Sequence, residues 1–301
     1  MKYVVTGGAG HISGQVAEKL LAAGKDVTVV GRNAENLKGL SAKGAKTAIG
    51  SLEDAQFVKQ TFADADVVYT MIPPNFATDN YRAYQQKVGN NFYNAIKESR
   101  VKHVVNLSSV GAHLKDGVGA INGAADFEAL LNTLADVHVK ILRPGFFFYN
   151  FFSQIPTIKA FGIMGSNYEG NKPLPIVEPA DIAEAAIEEL SILKFTGHSV
   201  RYIASEELSM NDATTILGTA IGKPDLKWAV MPDAQLKAGL LQAGLKVTMA
   251  NAFVEMGAAV NRPEFLADYL LHKPVLGSHK LKDFAKGFAA AYNAQSQPAG
   301  N

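Results

Sequence analysis

The chain has 301 residues, of which 48% are hydrophobic and 19% charged, as is typical of a globular protein and not of a disordered one. Its 29 Lys and Arg against 28 Asp and Glu leave a net charge of +1, which gives no electrostatic reason to expect a nucleic-acid partner. The lack of cysteine excludes disulfides, Cys-ligated metals and thiol nucleophiles, and we expect no metal site. A small-molecule partner is favoured.

The first residues and the longest apolar stretch predict where in the cell the protein is located. Residues 1–6 run directly into a glycine loop, which leaves no room for a signal peptide and predicts a cytoplasmic protein. The longest uncharged apolar stretch, residues 144–158, contains Gly145, Asn150 and Pro156 and is too short to span a bilayer. We therefore expect no membrane partner.

In chain order, short runs rich in β-branched and aromatic residues alternate with amphipathic stretches, which predicts strands covered on both faces. The runs cover residues 3–6, 27–30, 46–49, 67–72, 104–107 and 139–142. Helical spacing follows the first run and ends at Gly24, and further helices are predicted over 33–43 and 81–96. This alternation predicts an α/β fold, a Rossmann-type doubly wound parallel sheet, in residues 1–150.

Beyond residue 150 the pattern becomes mainly helical with a few short strands. Pro179 and Asp181 open a predicted helix that runs through Leu193, and Ser209 with Asp212 resembles a capping box. Further helices are predicted over 232–243, 248–260, 264–271 and 281–292. We predict a smaller, mainly helical substrate-binding part over 151–294, packed on the sheet, and a flexible tail over 295–301.

A glycine-rich loop, Thr-Gly-Gly-Ala-Gly-His-Ile-Ser-Gly, occupies residues 6–14 between the first strand and a helix. Gly7 can make the tight turn, and Gly10 lets the backbone approach a pyrophosphate. A helix that begins near His11 and Ile12 would direct its unpaired N–H groups and positive dipole end at that anion. This context predicts a dinucleotide site, whereas the alternative is a glycine-rich turn without a ligand.

Arg32 follows the second strand, where NAD-binding domains carry an acidic residue that holds both ribose hydroxyls. A guanidinium there can bind a 2′-phosphate through paired, charge-assisted hydrogen bonds, whereas a carboxylate would repel it. We therefore expect NADP(H) to be preferred over NAD(H). The alternatives are a solvated arginine at a strand end and, for Lys38, either an assisting role or an ordinary surface position.

These segments resemble the NmrA-like family of atypical short-chain dehydrogenase/reductases, which includes quinone-oxidoreductase-like enzymes and NADP(H)-sensing regulators. The matching residues are 6–12, 31–33, 50–54, 142–146 and Asn150. The chain departs from the family at Ser13, the third glycine position, and at Ser51, the usual acidic residue. The resemblance implies that the cofactor is bound by Gly7, Gly10, His11, Ile12, Arg32, Ser51, Leu52, Met71, Ile72, Pro73, Ser108, Pro144 and Phe146. A homodimer through helices of the sheet domain is a common arrangement in this family.

The family's catalytic side chains are only partly matched. Standard short-chain enzymes donate a proton from a Tyr that is activated by a Lys four residues later, with a Ser from the fifth strand nearby. Ser108 and Ser109 occupy the place of the serine, but residues 121–128 contain neither Tyr nor Lys. His113 is the histidine that the sequence places near the site, either as a general acid or as a solvated loop residue.

Six aromatic side chains in residues 146–152 follow the sixth strand, where the nicotinamide is expected. We predict that Phe146, Tyr149 and Asn150 contact a planar substrate, while most of the other rings fill the gap between the sheet and the helical part. Ser108, His113 and Tyr149 are the candidate catalytic residues.

Two functions remain open from the sequence. The first is an NADPH-dependent oxidoreductase that transfers hydride to a quinone or a similar electron-poor carbonyl compound, a reaction that binding in stacked register can accelerate without a fixed acid. The second is a non-catalytic NADP(H)-binding redox sensor that acts through a protein partner. A nucleotide-sugar epimerase or dehydratase is disfavoured because it relies on the absent Tyr and Lys.

Overall fold

The structure is a computed structural model that describes residues 1–294, so the predicted tail at 295–301 lies outside the described residues. The strands are β1 (Lys2–Val5), β2 (Asp26–Gly31), β3 (Lys46–Ile49), β4 (Val67–Met71), β5 (His103–Leu107), β6 (His138–Pro144), β7 (Phe146–Phe147), β8 (Ile163–Ser166), β9 (Pro173–Val177), β10 (His198–Ile203), β11 (Glu206–Ser209) and β12 (Lys227–Val230). The helices are α1 (Ser13–Ala22), α2 (Ala34–Ala42), α3 (Ala55–Phe62), α4 (Tyr81–Lys97), α5 (Asn122–Leu131), α6 (Ile155–Phe161), α7 (Pro179–Ile192), α8 (Met210–Ala220), α9 (Asp233–Gln242), α10 (Val247–Val260), α11 (Glu264–Leu271) and α12 (Leu281–Ala294). Within residues 1–294, no helix combines the length and apolar character that a bilayer crossing requires.

The central sheet has seven strands in the order β10-β6-β5-β4-β1-β2-β3, and all of its strand pairs are parallel. This arrangement confirms the predicted Rossmann-type sheet. The chain leaves β1 for β2 on one side and later returns to β4 on the other side of β1. A crevice therefore opens at the carboxyl ends of β1 and β4, where ligands of such sheets usually bind.

Alternate residues of each strand enter cores on opposite faces of the sheet. Tyr3 and Val5 of β1 are packed with α1 and α7, whereas Val4 is packed with α3, α4 and α5. The central strands β1, β4 and β5 are covered on both faces, which explains why their segments read as continuous apolar runs, whereas the edge strand β3 is largely exposed.

Polar residues at the predicted boundaries begin the helices. The Asn33 side chain accepts a hydrogen bond from the backbone of Glu35, and Asn80 accepts one from Ala83. Ser209 accepts a bond of 3.1 Å from the Asp212 N–H and starts α8, which confirms the predicted cap. Each of these helices therefore begins where a short polar side chain accepts a hydrogen bond from one of its first free N–H groups.

The later part of the chain contributes both to the sheet domain and to a separate core. Strand β10 pairs with β6 as the seventh strand, and α7 shares a core with α1, so residues 179–203 complete the sheet domain. The remaining elements include a three-stranded sheet, β11-β9-β7, and a strand pair, β12-β8, and their separate core is formed mainly by α6, α8 and α12, with Val260 of α10 and Leu266 of α11 packed against it. The helices predicted after residue 209 are all present.

Candidate cofactor and substrate site

The glycine loop lies at the crevice because Thr6 joins the ends of β1 and β4. Its N–H donates to the Tyr69 carbonyl at 3.0 Å, and its hydroxyl accepts from the Met71 N–H at 2.9 Å. Thr6 is fully buried, so these bonds fix the exit of β1. The chain then turns at Gly7 with φ of 93°, in the left-handed region that glycine adopts without strain.

Close packing explains why the loop tolerates Ser13 at the third glycine position. A Cβ atom on Gly7 would overlap the Ser13 hydroxyl oxygen and would lie 2.8 Å from the Met71 sulfur. Ser13 is 2% exposed and fills the space that Gly7 leaves free. Gly14 makes the close approach to the loop backbone instead, because a Cβ there would lie 3.3 Å from the Ala9 carbonyl carbon.

Helix α1 presents free backbone donors to this crevice. Within residues 1–294 the N–H groups of His11, Ile12 and Ser13 have no hydrogen-bond partner, and no side chain caps the helix. The first bonded N–H after Gly10 is that of Gly14, which donates to the Gly10 carbonyl at 2.8 Å. Three free donors and the positive end of the helix dipole fit the diphosphate of a dinucleotide.

The second and third strands end beside the region where the adenosine would lie. The Gly50 N–H donates to the Gly31 carbonyl at 3.0 Å and holds the two strand ends together. Arg32 is exposed, and its guanidinium has no ion pair or hydrogen bond within the part of the chain described. Lys38 pairs with Glu35 at 2.7 Å. Contact of either cation with a 2′-phosphate stays a prediction.

Ser51 and Leu52 follow β3 and Tyr84 lies on α4, on the same side of the crevice as Arg32. Burial raises the pKa of Tyr84 to about 12, and the positive charge of Arg32 opposes this increase. The Tyr84 hydroxyl donates to the Pro73 carbonyl at 2.9 Å, which ties α4 to the segment after β4. Ser51 is exposed, and its hydroxyl oxygen accepts a hydrogen bond from the Glu53 N–H at 3.2 Å. Leu52 is buried beside it.

On the nicotinamide side, Met71, Ile72 and Pro73 are half-buried at the end of β4. Pro144 is buried at the end of β6, and the ring of Phe146 lies 5.1 Å from that of Phe151. Met71 ends β4 and Pro144 ends β6, and β5 lies between these two strands in the sheet. The contacts of these residues with a cofactor stay predictions.

Ser108 belongs to a buried polar network. Its hydroxyl donates to the Glu128 carboxylate, which also accepts from Arg143 at 3.0 Å. Arg143 in turn donates to the Tyr202 hydroxyl at 3.0 Å and to the Asp268 carboxylate at 2.8 Å. Ser108 is 8% exposed. The network joins β5, α5, β6, β10 and α11, and it engages the hydroxyl that short-chain enzymes direct at the substrate.

A cavity of about 330 Å³ opens between the start of α1, the segment after β7 and α12. It is lined by His11, Gln15, Tyr149, Phe152, Glu178, Pro179 and Phe284. The Tyr149 ring lies 5.5 Å from the His11 ring, and burial raises the Tyr149 pKa to about 12. Aromatic walls beside the free donors of α1 provide a slot for planar rings.

The aromatic segment divides between this cavity and the core. Phe148 and Phe151 are buried, while Tyr149 and Phe152 line the cavity. Asn150 is half-buried, and its side chain makes no hydrogen bond within residues 1–294. Of the three residues predicted to contact substrate, Tyr149 lines the cavity, whereas Phe146 and Asn150 belong to the same aromatic segment but are not among the lining residues.

The histidine among the residues that line the cavity is His11, and not the catalytic candidate His113. His113 lies against α11, with its Nε2 atom 2.9 Å from the Glu264 carbonyl oxygen. His279 instead bonds Asp181 at 2.7 Å, and its charge acts on Glu178 in the cavity wall. Glu178 could not be found from the sequence because only tertiary packing brings it into the cavity wall beside His11, and the same holds for His279, which bonds Asp181. The one local signal was Pro179 at the start of a helix, which places Glu178 at that helix end.

A second cavity, of about 380 Å³, lies between α10, α11 and β9. Leu174, Val260 and Leu266 line it, and Lys273 at its edge pairs with Glu207 at 2.8 Å. No residue of the glycine loop lines it. We therefore place the candidate site at the smaller cavity beside α1.

The sheet order and the glycine loop at its switch point define a Rossmann-type α/β protein. The chain belongs to the NmrA-like family, whose model matches residues 2–267. This finding confirms the family resemblance drawn from the sequence.

Known proteins with similar sequences and folds include several reductases. An NAD(P)H azoreductase of Xenophilus azovorans is 25% identical over 296 residues, which are 97% of this chain and 99% of that protein. An NADPH-dependent quinone oxidoreductase of Escherichia coli, solved with NADPH, superposes with a TM-score of 0.77 at 18% identity over 95% of this chain and 99% of that one. A triphenylmethane reductase of Citrobacter has a TM-score of 0.73 at 17% identity over 96% of this chain and 100% of that one. The two structural matches establish a common fold.

Proposed function

We propose that this protein is an NAD(P)H-dependent oxidoreductase that uses NADPH to reduce planar, electron-poor acceptors such as quinones. The observation that carries the proposal is the set of three free N–H groups at the start of α1 beside a cavity walled by Tyr149 and Phe152. The similarity to an azoreductase over 97% of this chain supports the reaction class. Azo compounds therefore join quinones as acceptors to be tested.

The residues of this chain would hold the cofactor in three places. The N–H groups of His11 to Ser13 would bind the diphosphate, and Arg32 would bind the 2′-phosphate. The segment from Met71 to Pro73, together with Phe146, would border the nicotinamide. NADPH when bound supplies hydride, and Tyr149 would orient a flat acceptor against it.

A non-catalytic NADP(H) sensor is the second candidate, because the Ser108 hydroxyl donates to Glu128 and not into the cavity. The test mixes purified protein with NADPH and a panel of quinones and azo dyes while nicotinamide absorbance is followed. Turnover supports the oxidoreductase. Tight NADPH binding without turnover of any acceptor supports the sensor, and lack of binding overturns both. The homodimer and the cytoplasmic location stay predictions.

A further inference from the structure

Glu178 is an acidic residue in the wall of the candidate site. It directly precedes Pro179 at the start of α7, and its N–H donates to the Ser205 hydroxyl at 2.9 Å. Its carboxyl group forms no hydrogen bond or ion pair within residues 1–294, although it is half-buried. The backbone is therefore held in place while the carboxyl group remains free for a ligand.

The neighbouring acid, Asp181, is in the opposite situation. It is 5% exposed, accepts a hydrogen bond from the Ser205 hydroxyl and bonds His279 at 2.7 Å. A Cβ on Gly277 would overlap its carboxylate, so the chain before α12 also covers it. Asp181 is thus fully engaged in fixing the segment that carries His279.

The surroundings drive the two carboxyl groups apart in acidity. Burial raises the pKa of Glu178 and the charge of Asp181 adds to the increase, while the charges of His279 and His11 oppose it. Burial would also raise the pKa of Asp181, but hydrogen bonds from Ser205 and His279 outweigh it and lower the pKa. Two neighbouring carboxyl groups separated in this way are typical of an acid beside an ionised partner.

We propose that Glu178 donates the proton that the acceptor needs once it has received hydride, in the cavity that Glu178 shares with His11 and Tyr149. This inference rests on the proposed function. Tyr149 is a poorer donor near neutral pH, because burial raises its pKa to about 12. A diphosphate bound beside His11 would add negative charge near Glu178 and further favour its protonated form.

The step balances in atoms and electrons. Hydride brings two electrons and one proton to the acceptor, which is reduced while the nicotinamide is oxidised, and the acceptor is left with one negative charge. The O–H bond of the Glu178 carboxyl breaks, and the proton forms a bond to the charged oxygen or nitrogen. The resulting carboxylate regains a proton from solvent through the open side of the cavity.

Acceptors differ in how strongly their reduction depends on a proton from Glu178. A quinone becomes a stabilised phenolate-type anion, which water can protonate afterwards. An azo group becomes a nitrogen anion that is far more basic, so proton transfer must accompany its reduction. Glu178 therefore directs the site towards acceptors whose reduced forms are strong bases.

The test compares wild type with Glu178→Gln and with Glu188→Gln, a matched change on α7 at an exposed residue that pairs with Arg201. Infrared titration of the nucleotide-free proteins follows carboxyl bands against pH. Steady-state assays with NADPH use methyl red as the azo acceptor and menadione as the quinone. Thermal unfolding checks that each variant folds.

We expect a carboxyl band that titrates above the ordinary glutamate pKa of about 4.3 in wild type and Glu188→Gln, and its loss in Glu178→Gln. We expect Glu178→Gln to lower kcat for methyl red about 100-fold and to remove its decline at high pH, with menadione turnover changed less than about threefold. An unchanged band, or equal effects on both acceptors, overturns the role of Glu178 while the proposed function stands. If wild type reduces neither acceptor, the proposed function and this inference both fall.

Discussion

Arg32 provides the sharpest test of how the cofactor is chosen. It is exposed after β2 and forms no ion pair within the described part of the chain, so its charge is available to a 2′-phosphate. Hydrogen bonds to charged groups contribute about 1.5–3 kcal/mol each, and exposure to solvent reduces that contribution. We take about 1–2 kcal/mol for Arg32→Ala, which corresponds to a loss of roughly 5- to 30-fold in NADPH affinity.

Arg32→Asp adds repulsion between a carboxylate and the phosphate, so its loss of NADPH affinity should exceed that of Arg32→Ala. NADH lacks the phosphate, and its affinity should change little in both variants. Fluorescence titration of each nucleotide gives the ratio of NADPH affinity to NADH affinity. Raising the ionic strength should shrink this ratio in the wild type, because an exposed charge is screened.

The control is Lys38→Ala, an exposed cation on α2 that already pairs with Glu35 at 2.7 Å. It should leave the ratio of NADPH to NADH affinity near the wild-type value. Equal weakening of both nucleotides by Arg32→Ala, or no weakening of either, would refute the assignment of Arg32 to the 2′-phosphate. A loss in Lys38→Ala as large as that in Arg32→Ala would attribute the effect to overall charge.

Three further changes test the loop and the buried charges. Gly7→Ala puts a methyl group into a turn with φ of 93°, so binding of both nucleotides should fall at least about tenfold in calorimetry, and unchanged affinity would contradict the packing described. Glu128→Gln leaves Arg143 without its buried carboxylate and should lower the free energy of unfolding in urea by about 3–5 kcal/mol, against less than about 1 kcal/mol for an exposed glutamate. The Arg82 guanidinium lowers the pKa of Asp126, so this pair stabilises the fold above the ordinary aspartate pKa and its contribution is lost as pH falls through the lowered value. Asp126→Asn should therefore flatten the acid limb of the stability profile, and an unaltered limb would count against the pair.

Some predictions from the sequence depended only on neighbouring residues, and these agree with the structure. The Ser209 cap of α8 is an example, because the hydroxyl and the N–H it accepts from are three residues apart. The tight turn at Gly7 is another, and the structure has it with φ of 93°. Sequence patterns of this kind report local hydrogen bonds and turn geometry, which few distant contacts alter.

The state of Ser108 could not be predicted in the same way. The sequence places a serine where short-chain enzymes have a catalytic one, but its hydroxyl direction is set by Glu128 and Arg143, which arrive from α5 and β6. Likewise, β10 joins the sheet beside β6 from beyond the predicted boundary at residue 150. Both outcomes depend on which elements pack together.

The sequence alone therefore determined the six strands that alternate with helices, the glycine turn and the cation after β2, because apolar periodicity and turn chemistry are local properties. The tertiary structure alone decided that Glu178 joins His11 in the cavity wall and that, within residues 1–294, its carboxyl group forms no bond while Asp181 bonds Ser205 and His279. The physical reason is that burial and charge act through space, so the acidity of a side chain depends on neighbours that are far away along the chain.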